Sequence, residues 1–250
     1  MPNIIMCDPK CGAGEYNASD WLDATKPTGL LTSDEATIAG MVDGRTGNFQ
    51  VSLPNAKTIP ANFAKGSTGL TSFVAPNLTS LPYTGFQSCT GLTGNIFCPK
   101  AQCATSCLEG ARVENAVVYN FGTGQASCFK NNPNLKIVDV VKQTGSNSLG
   151  GASTFASCSS LTTIILRSNT VVSMVNVNDF TGTPFDNGGT GGTIYIPKSL
   201  YDHLGDGTAN DYKAASGWST VDGYGTITWA KIEGSTYETH YGDGTLIPSA

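Results

Sequence analysis

The sequence predicts an α/β repeat solenoid, rich in strands and turns, in which units of about 22 residues stack and a terminal cap closes the core. Three observations lead to this. The first is composition: 30 Gly and 12 Pro among 250 residues, abundant Ser and Thr, and only 13% charged residues. Helical bundles and coiled coils need Ala, Glu, Lys and Leu in bulk. Disorder is disfavoured by 39% hydrophobic residues and a net charge of only −5. The second is self-similarity. Phe86-Gln-Ser-Cys89-Thr-Gly-Leu92, Phe129-Lys-Asn-Asn132-Pro-Asn-Leu135 and Phe155-Ala-Ser-Cys158-Ser-Ser-Leu161 share one pattern, each followed by an alternating apolar run. The third is spacing. Leu70, Leu92, Val113, Leu135 and Leu161 recur about every 22 residues, with one longer gap before Leu161.

The elements follow in order. Residues 1–47 lack the pattern and read as an amino-terminal cap or attachment segment. Its short apolar patch (Ile4, Ile5, Met6) has no positive n-region and no long h-region, so a secretory signal is not expected there. Asp34 to Met41 reads as a short helix. Cys7-x3-Cys11 leaves a disulfide, a metal-binding pair and two ordinary thiols all open. Residues 48–197 carry the units. Phe49 with Val51 and Leu53 opens them, and Leu53-Pro-Asn-Ala-Lys-Thr-Ile59-Pro matches Ala75-Pro-Asn-Leu-Thr-Ser-Leu81-Pro. Looser copies are Phe63 to Leu70, and Cys107-x2-Gly110-x2-Val113. Each apolar run is a short strand, and Pro or Asn after several of them ends the pairing. Phe, Cys or Asn, and Leu at i, i+3 and i+6 suggest a tight helical turn entering the strand. One unit cannot bury its apolar side alone, whereas stacked units bury ladders of Leu, Phe and Cys. Cys89 and Cys158 stand where Asn132 stands in another copy, which favours a small buried group bonded to a turn over a reactive thiol.

Residues 198–250 read as a carboxy-terminal cap. Ile194 and Ile196 make a strand that Pro197 ends. Short helices are expected over 198–204 and 210–216, and a further strand over 227–232, with Trp218 and Trp229 covering the core.

On these residues the chain resembles the BspA-type leucine-rich repeats, which read roughly F-x-x-C-x-x-L-x-x-I-x-L-P. The likeness runs from about Phe49 to Pro197. Gly192-Thr-Ile-Tyr-Ile-Pro197, Leu200, Tyr212-Lys-Ala-Ala215, Trp218-Ser219 and Ile232-Glu-Gly234 are similar to the segment that closes such repeats in proteins of gut Firmicutes and their phages. The chain departs from the pattern at Cys107 and Val113, which replace Phe and Leu, and between Val141 and Ser153, where residues are inserted. The resemblance implies a non-enzymatic phage virion structural protein, tail- or fibre-associated. It would be assembled in the host cytoplasm and bind other virion proteins or a host-surface receptor, with a homo-oligomer as one form. The alternative is a bacterial cell-surface or secreted adhesin. The lack of a signal at Met1 to Lys10 favours the virion.

Chemistry is sparse. The two histidines, His203 and His240, have no accompanying G-x-S-x-G elbow or H-E-x-x-H helix. The Gly-rich run Gly188 to Gly192 lacks the Lys-Ser/Thr of a phosphate loop and reads as a turn. Asp206-Gly-Thr-Ala-Asn-Asp211 is not an EF-hand loop. No catalytic residue, metal ligand or cofactor is expected. A sequence pI of about 4.9 argues against nucleic acid, and no apolar run is long enough for membrane insertion. A binding surface is expected instead on the outward strand positions: Ser72 and Val74, Asn95 and Phe97, Asn115 and Val117, Ile137 and Asp139, Thr163 and Ile165. There Val74, Phe97, Val117, Ile137 and Ile165 would make an exposed apolar stripe, interrupted by Asp139.

Overall fold

The computed structural model describes residues 49–248, apart from 54, 55, 123, 144–148, 175 and 176. Residues 1–47, with the expected helix over 34–41 and the Cys7/Cys11 pair, lie outside the described residues. The fold is α/β, with many strands and few helices. Strands β1 (Phe49–Ser52) and β2 (Leu70–Val74) form one two-stranded sheet. Strands β3 (Ser80–Leu81), β4 (Asn95–Cys103), β5 (Asn115–Phe121), β6 (Ile137–Val140), β7 (Thr163–Leu166), β8 (Gly192–Ile196) and β9 (Ile227–Lys231) form a seven-stranded sheet in sequence order. All these pairings are parallel. Strand β4 is long because it serves two ladders. Its Asn95–Cys98 stretch pairs with Asn115–Val118, while Gln102 and Cys103 pair with both β3 and the end of β5. Pro99 sits where the register shifts, having no N–H to offer a ladder.

The stretches between strands are not the tight helical turns expected. Five of them carry two left-handed residues four apart: Asn62 and Gly66, Thr84 and Ser88, Ser106 and Gly110, Ser127 and Asn131, Ser153 and Ser157. A left-handed residue stops a helix, and Ser and Asn tolerate it because their side chains bond locally. Alternate amides therefore point sideways, at the next segment. Ala64 N donates to Gly85 O (2.7 Å), Phe86 N to Cys107 O (2.8 Å), Leu108 N to Cys128 O (2.8 Å), Phe129 N to Thr154 O (2.9 Å) and Phe155 N to Asp179 O (3.1 Å). These rungs all run from the earlier segment to the later one.

The same rungs correct the alignment of the third unit. Leu108, not Cys107, takes the place of Phe86 and Phe129, and Ala111 takes the place of Cys89, Asn132 and Cys158. That unit is one residue shorter between turn and strand, so counting back from Val113 lands one residue early. The small buried groups do bond to turns. Cys89 Sγ donates to Ala64 O (2.7 Å) and Cys158 Sγ to Phe129 O (3.1 Å). The Asn132 amide nitrogen donates to Ala111 O (2.9 Å).

Close approach explains one glycine. A Cβ on Gly91 would lie 2.1 Å from Thr68 O and 3.0 Å from Leu70 O, both backbone atoms that cannot swing away. Gly91→Ala is expected to cost on the order of 1–3 kcal/mol, as overpacking does. Gly94→Ala, where a Cβ would meet nothing within 4 Å, should shift the melting midpoint little. Equal midpoints for the two variants would contradict the packing of β2 against this turn.

The core is one cluster running from Val51 to Val221, so it crosses the expected boundary at residue 197 without a break. Helix α1 (Lys198–Tyr201) is shorter than expected, and 210–216 forms turns instead of a helix. The reason is Asp211, whose Oδ1 accepts from Lys213 N and whose Oδ2 accepts from Gly207 N, tying the chain into turns. Helix α2 (Trp218–Gly223) starts only after Gly217, at φ 81°. It delivers Trp218 to an aromatic cluster with Tyr212 and Trp229, ring centroids 5.3–5.9 Å apart.

Among the described residues six cysteines, Cys89, Cys98, Cys103, Cys107, Cys128 and Cys158, are buried. Burial pushes the Cys98 and Cys158 thiols up to about 12. Burial also opposes a thiolate at Cys107, but hydrogen bonds from Cys103 and Cys128 outweigh it and draw that thiol down. Access still controls reaction. Peptide mapping after brief alkylation of the native protein should find all six unmodified, and all six modified in denaturant. Fast native labelling of Cys89, Cys128 or Cys158 would contradict the buried ladder.

Candidate binding face

Alternate strand positions point away from the core. Pairing aligns them in two rows. One holds Asn95, Asn115, Ile137, Thr163 and Thr193; the other holds Phe97, Val117, Asp139, Ile165 and Tyr195. Four of the expected binding residues, Phe97, Val117, Ile137 and Ile165, thus share one face. Val74 does not join their ladder, because it pairs with Ser52 in the two-stranded sheet.

The expected exposed stripe is not formed. Val117 and Ile165 are 0% exposed, Phe97 and Ile137 are half-buried, and only Val74, at 48%, is open. The physical reason is the carboxy-terminal segment after β9, which turns back across this face. Tyr237 packs edge-on against Tyr195 (4.7 Å between centroids), and Tyr241 packs edge-on against Phe97 (5.5 Å). Between these ends lies Gly242. A Cβ there would lie 2.7 Å from Ile137 Cγ2, 3.1 Å from Ile165 Cδ1 and 3.3 Å from Asp139 Cβ.

An ion pair set into the apolar rows fastens the segment. Arg167 Nε and Nη2 donate to Asp139 Oδ1 and Oδ2, both at 2.8 Å. Arg167 is carried by the residue after β7, and Asp139 by β6, so the pair spans adjacent strands. The guanidinium also donates to Tyr237 O (2.7 Å) and His240 O (2.9 Å), and Gly242 N donates to Asp139 Oδ2 (2.8 Å). Its Cζ stands 5.3 Å from the centre of the Tyr241 ring, within range of a cation–π contact. Burial pushes the Asp139 carboxyl up from its ordinary value, and Arg167 and the Gly242 amide pull against that. The pair thus bonds two carbonyls and one N–H of the segment that covers this face.

Arg167, Tyr241 and Gly242 escaped the sequence reading. The available signal was Asp139, a lone carboxylate in a strand otherwise apolar, which requires a cation nearby.

His203 Nδ1 meets Asp206 Oδ2 (2.6 Å) at an exposed position, and Asp206 Oδ1 accepts from Thr208 N. Among the described residues no group of three His, Cys, Asp or Glu side chains is placed to hold a metal ion. Among them, too, no helix is long and apolar enough to cross a membrane. Comparison with protein-family models, with curated proteins and with solved structures found no match.

Proposed function

We propose that the chain is a BspA-like leucine-rich-repeat solenoid that serves as a non-enzymatic structural protein of a phage virion, tail- or fibre-associated. In this reading it binds another virion protein or a host-surface receptor through the outward face of its parallel sheet. Support for the solenoid comes from the sequence spacing of about 22 residues together with the one-directional rungs between successive turns. The observation that carries the binding role is the row from Phe97 to Tyr195, which already grips a polypeptide segment by its main chain and its aromatic rings.

The test is localisation in the host that carries the gene. An antibody raised against the purified chain should label intact particles, and the chain should co-sediment with them. Label confined to the envelope of cells that make no particles would overturn the virion assignment in favour of a bacterial surface adhesin. Turnover of a glycan or peptide by the purified chain would overturn the non-enzymatic reading.

A further inference from the structure

The covered face is more selective than an apolar stripe needs to be. We infer that it is a recognition site for a polypeptide turn carrying an aromatic residue followed by glycine, and that residues 235–248 are an internal ligand which a partner's turn of the same chemistry displaces. The inference rests on the proposed binding role of this face and names the chemistry of its partner.

Each part of the turn is read by a separate group. The aromatic ring of Tyr241 fits between the Arg167 guanidinium and Phe97. Glycine fits best at the next position, because a methyl would meet Ile137 Cγ2 at 2.7 Å and Ile165 Cδ1 at 3.1 Å and push those side chains aside. Arg167 accepts no side chain in particular; it donates to the carbonyls of Tyr237 and His240, and Asp139 takes the Gly242 amide. These contacts define a motif any polypeptide could present.

The segment is also built to leave. Of residues 235–248 only Gly242 is buried, and Leu246 is 66% exposed. None of them belongs to the hydrophobic core, which ends at Val221. Segments with few buried apolar contacts open at low free-energy cost while the rest of the fold stays intact. A permanent lid would be served as well by apolar side chains, since a buried ion pair recovers little beyond its desolvation. What Asp139 and Arg167 add is discrimination, because a wrong occupant leaves a charge unpaired.

The experiment uses the full chain carrying Gly242→Val. Hydrogen exchange should show the amides of 235–248 unprotected and those of β4 to β8 still protected. A labelled peptide spanning residues 235–248 should then bind this variant saturably, and about tenfold or more tighter than it binds the native chain, whose own segment competes. Peptides carrying Gly242→Val or Tyr241→Ala should bind about tenfold or more weaker than the native peptide. Adding Arg167→Met to the opened chain should abolish binding. Three results would overturn the inference: a segment still protected in Gly242→Val, no saturable binding to the opened chain, or equal binding of native and Gly242→Val peptides. If Gly242→Val loses strand protection, Tyr241→Ala in the full chain frees the segment at its aromatic end, and the same titration decides. None of these readouts depends on where the chain resides, so a failed particle localisation leaves them standing.

Discussion

Phe155→Ala is expected to lower stability by about 3–5 kcal/mol, the range for deleting a buried aromatic side chain. The ring is 0% exposed. It stacks between Phe129 (6.0 Å, 11°) and Phe180 (5.6 Å, 9°), and meets Phe121 edge-on at 5.8 Å. Its backbone is a rung as well, donating to Asp179 O. The surroundings cannot close the void cheaply, because Phe129 is held by its own rung to Thr154 O and the Phe121 N–H by the Gln143 side chain. For a chain of this length the midpoint of thermal unfolding should fall by roughly 6–20 °C. A fall of less than a degree or two would mean the aromatic column does not carry the core.

Trp218→Ala is the second large effect, again about 3–5 kcal/mol. This side chain fills the end of the core, 0% exposed, within 5.7–5.9 Å of Phe180, Tyr212 and Trp229. Its Nε1 donates to Val172 O (2.6 Å), while Tyr212 accepts from Val172 N (3.1 Å), so one residue of the preceding loop is clamped by two aromatic side chains. Trp218→Phe separates the two contributions. It keeps most of the burial and strands the Val172 carbonyl, at a cost of about 1–3 kcal/mol. Urea denaturation of both variants checks the ordering. A phenylalanine variant as unstable as the alanine variant would assign the whole effect to the hydrogen bond.

What was legible in the sequence was whatever recurs. Leu92, Val113, Leu135 and Leu161 are all buried, and the apolar runs after them are parallel strands paired in chain order. Spacing marked such positions because each leads into a strand that pairs with the next strand in the chain. The turns were misread because Phe-x-x-Cys-x-x-Leu has a helical spacing, while the deciding residues are the left-handed ones two places before and after the Phe, such as Thr84 and Ser88 around Phe86. The same blindness placed Cys107 where Leu108 belongs. The face was half legible. Alternation marked Phe97, Val117, Ile137 and Ile165 as companions, but nothing periodic could show that Tyr241 and Gly242 lie on top of them. That contact occurs once, between segments far apart in the chain, and joins a single Asp–Arg pair to two aromatic contacts.

Distance along the chain also sets an order of events. The rungs join turns 20–25 residues apart, so a segment can dock on its predecessor as soon as it leaves the ribosome, and folding can propagate from the amino-terminal side. The bond from Gly242 to Asp139 closes a loop of 103 residues, so its donor leaves the ribosome well after its acceptor. Such a closure is the slowest class of contact to form. In every round of translation there is consequently an interval in which β4 to β7 are folded and their outward rows are bare. A partner made alongside this chain meets the face first during that interval, before residues 235–248 compete.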